Sequence, residues 1–351
     1  MTSKNKLNCL SSKDISLREK ILEWYDKNGR HSLPWKNQSI YLIWISEIML
    51  QQTQVKTVIP YFKKFKKKFP TLKKLIRADL DSILNSWSGL GYYRRAKNIY
   101  EACRIIDKEY KGIFPKSYEE ILKLPGIGRT TAGAISTFSG LGSYSILDSN
   151  VRRFLIRVYD LDIKESNIES ILWKKSEELL CKKRSSDFIQ AYMDIGSLIC
   201  RISDPKCSLC PANENCLGKK NIDNKLIIKP KKIKKSKLNL WTLVISDKHG
   251  KYYLEKISIN KLWDGLYSSP IFLCQEDLET WAKAHNLINQ LDKGVRKFNH
   301  KLSHYDICFS VMSCNLDANK NISLLDDNWY NLSEINKGVP KFQFKAVESI
   351  S

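Results

Sequence analysis

The sequence predicts two architectures in one chain: a mainly α-helical first part, then an α+β second part behind a basic linker. Three observations carry this. From residue 15 to about residue 200, apolar side chains recur at helical spacing, with breaks at Pro, Gly or polar clusters. Residues 219–237, KKNIDNKLIIKPKKIKKSK, contain nine lysines and no aromatic residue. Beyond them, short alternating runs have the period of strands. A chain of 351 residues has room for two buried cores.

The elements follow in order. ISLREKILEWYDKN (15–28) places Ile15, Ile21, Leu22, Trp24 and Tyr25 at helical spacing, and Gly29 stops it. YLIWISEIMLQQTQVKTVIPYFKKF (41–65) reads as one helical segment. LDSILNSWSG, RRAKNIYEACRIIDKEY, YEEILKLPG, TTAGAISTF, NVRRFLIRVYD and ILWKKSEELL predict further helices. After the linker, LWTLVISD, KYYLEKI and YDICFSVMSC predict strands, and EDLETWAKAHNL (276–287) predicts one helix. There is no internal repeat.

Apolar content of 42% and charged content of 27% are ordinary for a globular protein. The charge balance is not: 59 basic against 37 acidic residues gives +22. Such a surplus favours a polyanion, because neutralising phosphates releases condensed counterions. Abundant Lys, Asn and Ile show that part of the surplus is compositional bias. No apolar run has the length of a membrane span, and MTSKNKLNCLSSKD lacks the apolar stretch of a signal peptide. These features place the protein in the cytoplasm, associated with the nucleoid and with no membrane partner, where disulfides are disfavoured.

Four cysteines, Cys200, Cys207, Cys210 and Cys216, follow the pattern C-x6-C-x2-C-x5-C. The other six are scattered, as small buried hydrophobes would be. Four thiols so close together predict a metal site. Structural zinc sites favour paired short spacings and compact thiolate runs suit iron–sulfur clusters, so spacing alone leaves both open.

LPGIGRTTAG (124–133) joins a helix ending near Lys123 to one beginning near Thr130. Gly126 and Gly128 permit a tight turn whose outward N–H groups can take a phosphate. The stretch resembles the helix-hairpin-helix DNA-binding element, at residues 119–137. Glu47 lies among Ile43, Trp44, Ile45, Ile48, Met49 and Leu50. Burial there would raise its pKa and suit it to general-acid work, whereas the exposed stripe of an amphipathic helix would leave it unremarkable. Asp148, in ILDSN, stands where an ordinary N-cap would.

Taken together, the hairpin, the Asp some twenty residues beyond it and the cysteine loop resemble the helix-hairpin-helix glycosylases related to endonuclease III. SEIMLQQTQVKTVIPYF, GLGYYRRAKN and LPGIGRTTAGAI are most similar to the MutY-type adenine DNA glycosylases. The resemblance runs from about 18 to 217, and more weakly through KLWDGLYSSP (261–270) and KFNHKLSHYDI (297–307). It implies a glycosylase core over 1–218 built from two helical modules, with a 4Fe–4S cluster held by Cys200, Cys207, Cys210 and Cys216 in the loop 200–216. It also implies a linker at 219–237 and a MutT-like (Nudix-fold) lesion-recognition domain over 238–345, which lacks a recognisable Nudix box. The implied partner of this monomer is double-stranded DNA carrying adenine opposite 8-oxoguanine or guanine. Glu47 is the implied general acid, Asp148 the counter-charge and Asn150 the residue that orients them. Leu33, Trp35 and Gln190 match the adenine pocket. Gln52, Thr53 and Tyr92 match contacts at the lesion, Gly126 and Gly128 the DNA-binding hairpin, and Ser303 and His304 the recognition loop.

Two positions depart from that pattern: Ser149 replaces the usual Gly after the catalytic Asp, and Leu302 replaces the Phe common before the recognition Ser. Two other readings compete. An endonuclease III-like pyrimidine glycosylase with lyase activity needs an amine nucleophile, but Thr130 stands at the position of its Lys. A non-catalytic iron–sulfur DNA-binding protein or redox sensor would leave Glu47, Asp148 and Gln190 without a role.

Overall fold

Helices account for the regular structure of the described chain as far as Asn221. The computed structural model describes residues 11–221, 235–257, 262–302, 304–316, 324 and 328–350. Ser303 and most of the expected linker lie outside them. The helices are α1 (Ser12–Asn28), α2 (Ile40–Leu50), α3 (Val55–Lys68), α4 (Leu72–Ile76), α5 (Leu80–Trp87), α6 (Arg94–Tyr110), α7 (Tyr118–Leu122), α8 (Arg129–Phe138), α9 (Ser149–Tyr159), α10 (Ile168–Leu179) and α11 (Ser185–Asp194). None of the described helices is long and apolar enough to cross a membrane. The stretch 41–65, expected as one helical segment, is two helices. The polar run Gln51–Gln54 breaks it: Gln52 adopts a left-handed φ of 55° and Gln54 becomes the N-cap of α3.

The chain divides into two compact units, 1–76 with 101–231 and 77–100 with 232–351. In the first, Leu17 and Ile21 of α1, Phe154 and Leu155 of α9, Leu172 of α10 and Phe188 and Tyr192 of α11 share one core. The π-helical turn Ile195–Ile199 continues α11 and delivers Cys200.

The second unit is α+β and takes in 77–100, a helical stretch that the sequence reading gave to the glycosylase core. Its strands are β1 (Ser236–Asp247), β2 (Tyr252–Tyr253), β3 (Glu255–Lys256), β4 (Tyr267–Ser268), β5 (Ile271–Phe272), β6 (Arg296–Lys301), β7 (Tyr305–Leu316) and β8 (Trp329–Tyr330). The main sheet runs β6-β7-β1-β2-β8, with β5 also on β1. β1 and β7 are parallel over their whole length, and the other pairings are antiparallel. Alternation along the two long strands feeds two cores. Leu243, Ile245, Met312 and Cys314 pack on the helix Gln275–Ala284, while Val244 and Val311 pack on the helix Lys341–Ile350. β1 already includes Ser236 and Lys237, which pair with Tyr305 and Asp306, so ordered structure begins inside the expected linker. The last helix likewise runs past residue 345.

Candidate active site and cysteine centre

α2 is apolar on almost every side, because Tyr41 to Ser46, Ile48 and Met49 are all buried. Glu47 is the exception. It remains partly open, into a cavity of about 400 Å3 lined by Tyr25, Trp35, Ile43, Phe138, Ser186 and Gln190, among others. Burial, with the negative Asp148 adding to it, pushes the Glu47 carboxyl up to about 8. A carboxyl so placed holds its proton at neutral pH, as a general acid must.

Asp148 is the N-cap of α9. Its Oδ1 accepts from the backbone N–H groups of Asn150 (3.0 Å) and Val151 (2.7 Å). Its Oδ2 accepts from Asn150 Nδ2 at 3.0 Å. Burial raises its pKa, but these hydrogen bonds and Arg153 oppose the rise. The two carboxyls are thus treated differently: Glu47 has no such donors, whereas Asp148 has three that favour its anion.

The cap is itself held from behind. Arg153 donates to Asn150 Oδ1 (3.0 Å), Gly196 O (2.5 Å) and Cys200 O (2.7 Å). Gly196 lies so close to Asn150 that a Cβ there would come within 2.5 Å of the Asn150 Cβ. Ser149, the departure from the usual Gly, is an exposed first residue of α9 and disturbs none of this.

Gln190 reaches the cavity from α11 and donates from Nε2 to Asp194 Oδ1 at 2.7 Å. A carboxylate only accepts, so the contact fixes the amide orientation and leaves Oε1 and one N–H for a ligand. Asp194 is fully buried and is held by the Arg30 backbone N–H (2.7 Å) and Arg30 Nε (2.8 Å). Trp35 is buried in the cavity wall with its ring edge-on to Phe62. Leu33 does not line the cavity; its carbonyl accepts from the Lys36 N–H, closing the turn that brings Trp35 and Lys36 there. Sequence reading missed Arg30, Asp194, Arg153 and the wall residues Tyr25, Lys36 and Ser186. Their roles come from contacts far apart in the chain, which leave no local spacing signal.

Cys200, Cys207, Cys210 and Cys216 line one cavity of about 360 Å3 with Arg157, Pro205, Lys206 and Lys219. Among the described residues, no three His, Cys, Asp or Glu side chains gather as they would around a single ion. Four thiols facing one cavity are a donor set of the kind that holds a structural zinc or an iron–sulfur cluster. Arg157 is buried and braces the loop: its guanidinium donates to Arg201 O (2.6 Å) and Ile202 O (3.2 Å) and lies 3.4 Å from Cys200 Sγ.

Residues 45–178 match the model of the HhH-GPD superfamily base excision DNA repair proteins. The adenine DNA glycosylase of Buchnera aphidicola subsp. Baizongia pistaciae is 46% identical over 323 residues, which cover 89% of this chain and 90% of the relative. The chain belongs to the adenine DNA glycosylases. The adenine DNA glycosylase of Buchnera aphidicola subsp. Acyrthosiphon pisum is 44% identical over 81% of this chain and 82% of its own. Among solved structures, a thermostable thymine-DNA glycosylase superposes with a TM-score of 0.56 at 25% identity, over 60% of this chain and 97% of its own.

As an adenine DNA glycosylase, the protein binds DNA, and among its other candidate contacts Gln52, Tyr92, Gly126, Gly128 and His304 are exposed and Thr53 is half-buried. Gly126 has a φ of 78°, which turns the chain between α7 and α8. Gly128 is the N-cap of α8, offers no side chain to it and faces open space, leaving the first N–H groups of the helix available to a phosphate. Gln52 is exposed at the end of α2, and the Thr53 hydroxyl donates to Gln51 O at 3.3 Å. Tyr92 is 44% exposed with a φ of 49°. His304 is exposed in the turn between β6 and β7, where Leu302 N–H donates to Tyr305 O at 2.8 Å. Thr130 Oγ1 accepts from Leu147 N–H at 3.3 Å.

Proposed function

We propose that this adenine DNA glycosylase removes adenine opposite 8-oxoguanine or guanine, with Glu47 as general acid and Asp148 as counter-charge. The observation that carries the reading is the contrast around two buried carboxyls: Glu47 is pushed up to about 8 by burial and the nearby Asp148, whereas the rise that burial imposes on Asp148 is opposed by three hydrogen-bond donors. Extruding a normal adenine costs a few kcal/mol of stacking and pairing. Gln190 Oε1 and its free N–H complement an adenine edge, which offers a donor amine beside an acceptor nitrogen. Glu47 gives its proton to the imidazole-ring nitrogen. The glycosidic bond then breaks with its electron pair leaving on the base, and the sugar acquires oxocarbenium character. Asp148 stabilises that cation by charge or by a transient bond. Water adds to the sugar carbon and Glu47, now a carboxylate, takes its proton. Thr130 offers no amine, so no imine forms and the reaction is monofunctional.

The four cysteines would hold a 4Fe–4S cluster, whose part is to cross-link the loop 200–216 rather than to act on the base. Lesion reading is assigned to Gln52, Thr53 and Tyr92 together with Ser303 and His304 of the region 238–345. One chain supplies every group named, so a monomer suffices. Single-turnover release of adenine from duplexes with 8-oxoguanine, guanine or thymine opposite tests the reading. Release should be fastest opposite 8-oxoguanine, slower opposite guanine and weakest opposite thymine. Equal rates on all three would contradict it.

A further inference from the structure

We infer that residues 337–339 are a latch that positions the turn bearing Tyr92, so that the C-terminal region controls how Tyr92 meets DNA. The inference rests on the proposed role of Tyr92 in the base stack, and all its parts lie in the second unit.

The turn between α5 and α6 is an unusual piece of backbone. Gly89, Gly91 and Tyr92 all have positive φ, at 90°, 82° and 49°. A left-handed tyrosine is strained and persists only where its surroundings over-determine it. Inside the turn, the Gly91 carbonyl accepts from Trp87 Nε1 (3.0 Å) and from the Arg95 guanidinium (3.1 Å). That guanidinium lies 5.3 Å from the Trp87 ring centre and 5.4 Å from that of Tyr92. The Tyr92 ring therefore rests on a cation while its exposed side is presented outward.

The latch holds the base of this turn. Ser88, the C-cap of α5, donates from Oγ to Val339 O at 2.6 Å. Gly338 sits against α5 so closely that a Cβ would lie 2.8 Å from Leu84 Cβ and 2.9 Å from Leu266 Cδ2. Its φ is one that any residue adopts, so closeness alone requires glycine. Lys337 Nζ meets Asp81 Oδ2 at 2.7 Å, and the Gly338 carbonyl accepts from Tyr267 N–H at 2.8 Å. On the other side of the turn, Lys97 in α6 pairs with Asp264 at 2.5 Å. Leu84, Leu266 and Val339 are closed to solvent in consequence. No residue of the latch needs to touch DNA for the turn to depend on it.

Gly338→Val and Ser88→Ala, each made in the full chain with Tyr92 and again with Tyr92→Ala, test this. Two quantities are read on a duplex with adenine opposite 8-oxoguanine: single-turnover adenine release, and the fluorescence of a 2-aminopurine placed beside the mispair, which rises when the stack opens. With Tyr92 present, Gly338→Val should slow release about tenfold and Ser88→Ala about threefold, with a matching loss of fluorescence rise. In the Tyr92→Ala protein each change should cost less than about twofold, since coupled residues are not additive. Equal factors in both backgrounds would overturn the latch, as would wild-type rate and fluorescence in both variants. If Gly338→Val does not fold, the milder Ser88→Ala decides. If Tyr92→Ala alone changes neither readout, the stack role of Tyr92 fails and the latch falls with it, an outcome distinct from additive losses.

Discussion

At the scale of single residues, the proposed chemistry rests on one proton held and one charge kept. Glu47, pushed up to about 8, is the protonated partner at neutral pH, and Asp148 must be ionised to oppose the sugar cation. Release should therefore follow a bell: an alkaline limb near pH 8 as Glu47 loses its proton, and an acid limb as Asp148 gains one. The two titrate as a pair, so the limbs belong to the pair. Asp148→Asn should lower the rate by at least about a hundredfold while the duplex still binds. The stability effect has a definite sign. Between its ordinary 4.5 and about 8, Glu47 keeps a proton in the folded protein that the unfolded chain has released. Stability must then fall as pH rises through that window, and Glu47→Gln should melt higher than wild type at pH 9. Thr130 supplies a third check. Borohydride trapping should give no efficient covalent complex, and efficient trapping lost on changing Thr130 would contradict the monofunctional reading. Glu47 was legible in the sequence because a lone carboxylate in an apolar run stands out, and Asp148 because it precedes a helix at the spacing of a known pattern. Asp194 was not, since its partner Arg30 lies 164 residues away and neither sits in a motif.

At the scale of elements, α9 links the two candidate centres. Its N-cap is Asp148, its second turn carries Arg153 and its third Arg157, both reaching the cysteine loop. Arg153 serves Asn150 Oδ1, Gly196 O and Cys200 O with one planar fork. A lysine cannot reproduce that fork. Arg153→Lys should leave Asn150 loosely held and slow release roughly tenfold, with the affinity for a duplex changed far less. Rate and affinity measured on the same protein check this: an unchanged rate would remove Arg153 from positioning the cap. α9 as a helix was legible from its apolar spacing, but its linking role was not, because the acceptors are backbone carbonyls of a distant turn. The break between α2 and α3 left a trace in the polar run Gln51–Gln54, yet the apolar pattern on both sides masked it.

At the scale of the molecule, the two-part architecture was legible from the lysine run and the change of period after it. The membership of 77–100 in the second unit was not, because a helix looks the same in sequence whichever core it joins. That membership alters what truncation should do. Ending the chain near residue 225 removes Ser303 and His304, two of the proposed lesion readers, and also strips Gly338 from Leu84, which is fully buried in the whole protein. The truncated protein should melt lower, keep adenine release opposite guanine in some measure, and lose most of its preference for 8-oxoguanine. Loss of direct base contacts alone is worth about 1–3 kcal/mol of discrimination. A truncated protein that discriminates as the full chain does would place lesion reading wholly before residue 225. The central claim, that one buried carboxyl supplies the proton for adenine release, is tested most directly by Glu47→Gln. Single-turnover release and duplex affinity are measured at pH 7 with adenine opposite 8-oxoguanine. The account predicts a rate at least about a thousandfold below wild type with affinity little changed, whereas a rate within about tenfold, or 1.4 kcal/mol of barrier, would contradict it.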